Sequence, residues 1–246
     1  MSLMSQSINL YNQLANHKLF NKTINFNLKR IKLALIKLNN PERKLNRVIQ
    51  VIGSDGKFSV LRALRFFIEG NNQTVSTHVS PSIADIRERF WMGDRYLSYK
   101  EIKKTINQIE KLKIPLTVYE VLTLVFIINA SRKDTDFVIQ EAGCLWKLDS
   151  NNVIDFPLMQ IIVNINKQHL NFLKKKTIDE IIKQKVGYLS HFTNIYIGKQ
   201  KKIILEKIKK ILRKNNSKIR FSNRWRLIKK QNNYFYKDRK NEIILN

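Results

Sequence analysis

The sequence predicts an α/β fold in which helices cover both faces of a mostly parallel sheet. Short runs rich in β-branched residues alternate along the chain with helical segments, as parallel strands require because each crossover passes through a helix. The chain's 246 residues, 43% of them apolar, are enough to bury the core of such a sheet. The predicted strands are residues 48–52, 74–78, 137–139, 161–165 and 195–197.

Three helix starts follow from the capping-box pattern S/T-x-x-E, in which two side chains satisfy free backbone N–H groups. These starts are Ser98 with Glu101, Thr117 with Glu120 and Thr177 with Glu180, and the helices should end near residues 112, 130 and 185. Apolar residues at helical spacing predict further helices at 26–38, after residue 59, and at 200–213. The last of these carries lysines on its polar face.

The apolar run at residues 121–128 is far shorter than the roughly 20 residues that cross a bilayer, and we interpret it as a buried helix. The first seven residues lack the basic and apolar regions of an export signal. The single cysteine, Cys144, rules out an internal disulfide framework and suits a reducing compartment. We therefore expect a cytoplasmic protein that does not bind membranes.

Residues 218–246 are rich in aromatic and basic residues, and we expect two or three strands there. The polar pairs Asn232–Asn233 and Lys237–Asp238 are the predicted turns. We therefore divide the chain into a domain at residues 1–215 and a β-rich extension at residues 216–246.

The most informative segment is the loop G-S-D-G-K-F-S at residues 53–59, between a predicted strand and a predicted helix. Backbone N–H groups at a helix N-terminus have no intrahelical partner, and the helix dipole favours an anion there. Lys57 adds a full positive charge. The alternative interpretation is a solvated turn with a surface lysine. The candidate phosphate-binding residues are Gly53, Ser54, Asp55, Gly56, Lys57, Phe58 and Ser59.

The formal net charge of +27 favours anionic partners, although a Lys-, Asn- and Ile-rich composition is also typical of an AT-rich genome. One alternative is a single-strand nucleic-acid binder that uses the basic helix at 200–214 and cationic residues interleaved with aromatic ones. Those residues would be Arg220, Arg224, Trp225, Arg226, Tyr234 and Tyr236. No RNA-binding motif is present, so we expect no specific nucleic-acid partner.

Several separated segments match one family pattern in order and spacing. Residues 40–49 and the loop at 53–59 resemble an N-P-containing approach followed by G-T-N-G-K-G-S. Residues 79–81 and 87–89 resemble T-S-P-H and the following R-F-N-E-R. Residues 116–123 are similar to L-T-x-F-E-x-L-T.

Later segments continue the pattern. Residues 141–152 resemble E-V-G-L-G-G-R-L-D-A-T-N, His169 stands where the pattern has G-L-D-H, and residues 180–187 resemble E-I-A-x-E-K-A-G. Over residues 38–199 the chain thus resembles folylpolyglutamate synthase/dihydrofolate synthase, a branch of the Mur ligase superfamily. The resemblance implies a P-loop-containing domain of the Mur ligase central-domain type.

The resemblance implies an ATP-dependent ligase that activates a carboxylate as an acyl phosphate and joins glutamate to dihydropteroate or folate. ATP and Mg²⁺ would be the cofactors, with Lys57 and the loop N–H groups at the triphosphate and Ser59 close enough to approach the magnesium. The implied metal ligands are Ser80, Glu141 and His169, and the implied catalytic residues are Lys57, Lys185 and His169, with Lys185 carbamylated. We expect the loop, Glu141 and His169 to meet at one crevice, because each follows a strand end.

The chain departs from the pattern at several positions. Phe58 replaces a glycine and is expected to strain the loop or obstruct phosphate, and Asp55 replaces an asparagine and brings a negative charge. Leu145 and Trp146 stand where the family pattern has a glycine pair, and Ser82 stands where it has a histidine. Asn166, Lys167 and Gln168 stand where the pattern has G-L-D.

Nothing after Lys199 resembles the family's C-terminal domain with its A-H-N-P segment. We therefore expect a truncated form, or one half that needs a separate C-terminal domain, which alone binds MgATP weakly and forms no amide bond. The alternative is a catalytically inactive nucleotide-binding remnant.

Overall fold

The computed structural model describes residues 3–21, 23, 25–222, 225–230, 233–238 and 241–245. In chain order the elements are α1 (Leu3–Ala15), β1 (Phe20–Asn21), α2 (Leu28–Lys37), β2 (Val48–Ile52), α3 (Lys57–Gly70), β3 (Val75–His78), β4 (Phe90–Met92), α4 (Tyr99–Glu110), β5 (Leu116–Thr117), α5 (Val118–Lys133), β6 (Phe137–Glu141), β7 (Met159–Ile162), α6 (Ile178–Val186), β8 (Asn194–Ile197), α7 (Lys202–Leu212), β9 (Lys218–Phe221), β10 (Trp225–Lys230), β11 (Asn233–Asp238) and β12 (Glu242–Leu245).

Seven strands form the main sheet in the order β4-β3-β6-β2-β7-β8-β9. All neighbouring pairs are parallel except β3 with β4, which is antiparallel. The predicted fold class is therefore confirmed. Because β2 lies between β6 and β7, the segments that follow these three strands emerge at the same edge of the sheet.

Helices cover both faces. On one face α3 packs against β2, β3 and β6, and Leu61 joins the cluster that contains Ile49, Val51 and Ile139. On the other face α5 packs against β3 and β4, and α6 and α7 pack against β7 and β8 through a second cluster. Every residue from 121 to 128 in α5 is buried, which confirms the predicted buried helix and explains its apolar character on all sides.

The predicted helix starts are confirmed. Ser98 and Thr117 each form a complete capping box, and the Thr177 side chain accepts the N–H of Glu180. Helix α1 was not predicted. Its buried residues Ser7, Leu10 and Leu14 share one face, but the surrounding polar residues give it only a weak periodic signal.

The chain's C-terminal strands differ in part from the prediction. Strand β9 extends the main sheet beside β8, whereas β10, β11 and β12 form a separate antiparallel sheet. The predicted turn at Lys237–Asp238 is wrong, because both residues pair within β11, and the Asp238 side chain accepts the N–H of Asn241 beyond the strand. Asn232 and Arg224 lie outside the described residues. The domain boundary at 215/216 stays a prediction.

Within the described ranges, none of the helices has the length and apolar character needed to cross a membrane.

Candidate functional site

The loop after β2 is fixed by its glycine and by the segment that follows β7. Gly53 has φ +150°, and a Cβ atom there would lie 2.3 Å from Val163 Cγ2 and 2.9 Å from the Asn164 carbonyl oxygen. The Ser54 N–H donates to the Asn164 carbonyl over 2.8 Å, and the Ser54 hydroxyl accepts the Asn166 N–H over 2.9 Å. Close backbone approach therefore requires glycine at position 53 and sets the path of the loop.

Helix α3 begins at Lys57, directly after the loop, and Gly56 is its N-cap with φ +82°. No side chain in the described part of the chain caps this helix end. The N–H groups of its first turn are therefore free to bind an anion, as the sequence predicts.

Asp55 does not project a free charge at this helix end. Its carboxylate accepts hydrogen bonds from Asn166 Nδ2 over 2.7 Å and from Gln168 Nε2 over 2.6 Å. These partners belong to the segment that replaces G-L-D before His169. Residues that differ from the family pattern in two separate segments therefore contact each other, and the Asp55 carboxylate is hydrogen-bonded to the segment before His169.

Phe58 and Ser59 lie in the first turn of α3, and both side chains are exposed, that of Phe58 by 41%. The expected backbone strain at Phe58 is absent, since it is not among the residues of positive φ. A helical position accepts any L-residue other than proline, so the backbone conformation at this position does not require glycine. The expected obstruction of a phosphate by the Phe58 side chain stays a prediction.

Lys57, Glu141 and Ser80 form a contiguous polar group. The Lys57 ammonium donates to the Ser54 carbonyl over 3.0 Å and lies 3.8 Å from Glu141 Oε1, while Glu141 Oε2 accepts the Ser80 N–H over 3.0 Å. Glu141 is only 4% exposed. Burial raises the pKa of its carboxyl, although the Ser80 N–H and Lys57 act in the opposite direction.

Lys185 lies behind the loop and is 1% exposed. Its ammonium donates to the carbonyl oxygens of Gly53 and Cys144, each over 2.7 Å. Burial, and then the charge of Lys57, lower the pKa of Lys185 to about 8. Lys185 thus connects helix α6 to both the loop and the segment after β6.

His169 lies in the segment that follows β7, which ends at Ile162. It has φ +57° and leads into the short 3₁₀ helix Leu170–Phe172, where its ring lies 6.2 Å from that of Phe172. Burial, followed by the charges of Lys185 and Lys57, lowers the pKa of His169, so the ring is neutral at neutral pH.

A cavity of about 400 Å³ opens beside these residues. Lys57, Ser80 and His169 all line it, and Glu141 contacts two of them. The remaining lining residues come from five segments and are Thr23, Asn25, Phe26, Asn27, Pro81, Arg89, Thr117, Tyr119, Glu120, Gly143, Cys144, Leu148, Asp149 and Ser150. The expected convergence of strand ends at one crevice is therefore observed.

Sequence reasoning assigned no site role to Arg89, Tyr119 or Glu120, which line the cavity. All three lie within the segments that match the family pattern, Arg89 at residues 87–89 and the other two at residues 116–123. Asp149 stabilises the turn after Glu141, because its carboxylate accepts the N–H groups of Gly143 and Asn151 over 2.7 and 3.0 Å.

Asp149 also gives the stability of the fold a defined pH dependence. Burial raises the pKa of this carboxyl from 3.8 to about 6, against the effect of two backbone N–H groups. Between these values the folded state binds more protons than the unfolded state, so stability falls as the pH rises, by about 3 kcal/mol in total.

We expect Asp149→Asn to remove this part of the pH dependence. The substitution should also lower the free energy of unfolding by the same amount at every pH, because one of the two acceptor oxygens is lost. Urea unfolding of both proteins from pH 4 to pH 7 measures the difference. Parallel curves for the two proteins would contradict the prediction.

The donor atoms at the site are mainly oxygens. Glu141 offers a buried carboxylate, and Ser80, whose backbone N–H donates to that carboxylate, carries a hydroxyl. Oxygen donors of this kind suit Mg²⁺ better than a histidine does. Across the described residues, no group of three His, Cys, Asp or Glu side chains is arranged to hold a metal ion by itself. Oxygens of a bound anionic ligand would have to complete such a site.

The glycine-bracketed loop with Lys57 joins a central parallel strand to a helix, which is the arrangement in which α/β domains bind a phosphate group at a helix N-terminus. No family model matches the chain. Individual proteins do match.

Dihydrofolate synthase/folylpolyglutamate synthase of Bacillus subtilis is 32% identical over 171 residues, which cover 66% of this chain and 39% of that protein. The protein of the same name from Buchnera aphidicola (subspecies Schizaphis graminum) is 30% identical over 203 residues, which cover 77% of this chain and 48% of that protein. The resemblance to folylpolyglutamate synthase/dihydrofolate synthase is confirmed, and the partial coverage fits an N-terminal part.

Solved structures agree on the fold. Escherichia coli FolC in complex with DHPP and ADP superposes with a TM-score of 0.84 at 21% identity, over 98% of this chain and 57% of that chain. Folylpolyglutamate synthase of Thermotoga maritima superposes with a TM-score of 0.80 at 23% identity. The chain spans less than half the length of the two curated relatives described above.

Proposed function

We propose that this chain is the ATP-binding part of a ligase that adds glutamate to dihydropteroate or folate through an acyl-phosphate intermediate. The observation that carries the proposal is the uncapped N-terminus of α3 beside a cavity that Lys57, Ser80 and His169 line. The confirmed resemblance supplies the reaction class. The E. coli structure above is named for bound DHPP and ADP, and another solved relative for Mn, AMPPNP and L-glutamate.

ATP would bind with its phosphates at the first turn of α3 and at Lys57. The exposed side of this turn, from Asp55 to Ser59, leaves room for a polyanion, and Asp55 is held by Asn166 and Gln168. In this role the Lys57 ammonium would stop donating to the Ser54 carbonyl oxygen and would donate to phosphate oxygens. A charge-assisted bond to phosphate is stronger than the neutral bond it replaces.

Mg²⁺ would bind at Glu141 and Ser80 together with nucleotide oxygens, where it would neutralise the phosphate charge. The raised pKa of Glu141 supports this assignment, because a buried carboxylate that its neighbours stabilise incompletely gains from a nearby cation. His169 is the least suitable of the three inherited ligands for Mg²⁺. As a neutral ring it fits a hydrogen-bonding role at the cavity wall equally well.

Lys185 would act from behind the loop. Its lowered pKa favours the neutral amine, which is the form that reacts with carbon dioxide to give the carbamate of the family pattern. Without that modification Lys185 holds the loop through the Gly53 carbonyl.

The cavity suits a substrate that has a neutral polar end and an anionic end. Thr117, Glu120, Asp149 and Ser150 provide hydrogen-bonding groups at the wall, whereas Lys57 and Arg89 provide positive charge. A net charge of +27 further favours ATP, glutamate and a carboxylated pterin, all of which are anions.

A second, C-terminal domain would complete the enzyme, and we place the protein in the cytoplasm, where Cys144 stays reduced. The decisive experiment measures MgATP binding to the purified chain by calorimetry. It then assays glutamate-dependent ADP release with dihydropteroate, with and without the co-expressed C-terminal half of the B. subtilis relative.

We expect binding by the chain alone and turnover only with the added half. Absence of MgATP binding would reject the proposal in favour of an inactive remnant. Turnover by the chain alone would reject the need for a second domain.

A further inference from the structure

Arg89 ends the 3₁₀ helix Ile86–Arg89 and is only 6% exposed, yet it lines the cavity. One guanidinium nitrogen, Nη2, donates to the Tyr11 hydroxyl over 2.6 Å. The other two, Nε and Nη1, are buried and have no hydrogen-bond partner in the described structure. A guanidinium is permanently charged and carries five N–H donors, so most of its hydrogen-bonding capacity is unused.

In the described part of the chain, the ionisable groups around Arg89 leave its charge without an ion-pair partner. Burial, and then Arg89 itself, lower the pKa of His78 to about 3, and burial raises the pKa of Tyr119 well above its usual range, so both are neutral. Glu141 is bound to Ser80 and lies 3.8 Å from Lys57. Burial raises the pKa of Glu141, and the charge of Lys57, followed by that of Arg89, acts in the opposite direction without an ion pair to Arg89.

Glu120, the other carboxylate of the cavity wall, is paired with Arg30 and the Thr117 N–H. Among the described ion pairs none includes Arg89.

An unpaired buried charge is strongly unfavourable, and proteins keep one where a ligand supplies the counter-charge. The planar donor fork of arginine matches the two oxygens of a carboxylate or phosphoryl group. Ser80 and Lys57, the proposed metal- and phosphate-binding residues, line the same cavity as Arg89. An anion at Arg89 would therefore lie in the same cavity as the phosphate-binding end.

We propose that Arg89 binds an oxyanion of the ligand in this cavity, namely the substrate carboxylate that the reaction activates. The proposal rests on the proposed function, and it names the residue that selects carboxylated over neutral ligands. The phosphoryl group that ATP transfers is also an oxyanion that a guanidinium can bind. Binding experiments with a carboxylate ligand and with a nucleotide, made separately, show which of the two groups Arg89 binds.

The test measures binding by calorimetry to the wild-type chain and to Arg89→Gln and Arg89→Lys, with Arg43→Gln as a control at an exposed position. The probes are pteroate, its uncharged methyl ester, MgADP and MgATP. Losing charge-assisted bonds should weaken pteroate binding to Arg89→Gln about tenfold to hundredfold. Arg89→Lys should show a smaller loss, and binding of the methyl ester and of MgADP should not change.

A thermal unfolding scan of Arg89→Met without ligand separates this role from a structural one. Because a buried unpaired charge is removed, we expect an unchanged or higher midpoint. A lower midpoint, together with equal losses for pteroate and its ester, would assign Arg89 to the fold and overturn the proposal.

The remaining outcomes are also decisive. Unchanged pteroate binding by Arg89→Gln, or no pteroate binding by a wild-type chain that binds MgADP, would overturn this inference alone. A loss confined to MgATP would assign Arg89 to the phosphoryl group and overturn the carboxylate assignment. If the wild-type chain binds neither MgADP nor MgATP, the proposed function fails as well.

Discussion

Replacing Lys57 by alanine is expected to weaken MgATP binding about tenfold to hundredfold, because the triphosphate loses a charge-assisted hydrogen bond. The substitution also leaves Glu141, at 4% exposure, without the ammonium that lies 3.8 Å away. Calorimetric titration with MgATP measures the loss. The free energy of unfolding, measured by urea titration, shows how much of the change is structural.

Two variants control this experiment. Lys57→Arg keeps the charge and should retain part of the affinity, whereas Lys32→Ala removes a lysine from the exposed side of α2 and should change affinity little. If Lys32→Ala weakens binding as much as Lys57→Ala, the effect comes from the overall charge of the chain, and the phosphate site at the loop is wrong.

The substitution Gly53→Ala is expected to destabilise the fold by about 3 kcal/mol or more. Two costs add: a backbone conformation that L-residues rarely adopt, at φ +150°, and a Cβ atom 2.3 Å from Val163 Cγ2 and 2.9 Å from the Asn164 carbonyl. The backbone oxygen cannot move aside as a flexible side chain can. Urea unfolding at neutral pH measures the free energy.

Gly56→Ala is the matched control in the same loop. Its φ is +82°, but among the described residues no atom beyond its two chain neighbours lies within 4 Å of the added Cβ, so only backbone strain of about 1 kcal/mol is expected. Equal destabilisation by the two substitutions would show that the loop does not rest on the segment after β7 as described.

The fold was largely predictable because the local signals agreed. Capping boxes placed the starts of α4, α5 and α6, and β-branched runs placed β2, β6 and β8. The strand predicted at 161–165 was placed too late, because β7 is Met159–Ile162. Helix α1 and the end of β11 were not predicted. In both places polar residues conceal the pattern, and no glycine or proline marks the turn.

The sequence predicted that the segments after several strands meet at one crevice, but it did not predict which side chains contact each other there. Lys57, Ser80 and Glu141 are far apart in sequence and meet only because β2, β3 and β6 are neighbours in the sheet. The buried position of Lys185 and the unpaired guanidinium of Arg89 depend on packing from α6 and α1, which no local pattern reports. Family motifs placed both residues without indicating these surroundings.

The bond between Asp55 and the side chains of Asn166 and Gln168 joins two departures from the family pattern into one unit. Replacing Asp55 alone by the asparagine of the family pattern would leave one acceptor oxygen for two amide donors. Replacing the amides alone would release a carboxylate beside the proposed phosphate-binding turn. A change in either segment alone therefore breaks a contact that joins the two segments. Engineering that restores the family loop must exchange both segments at once.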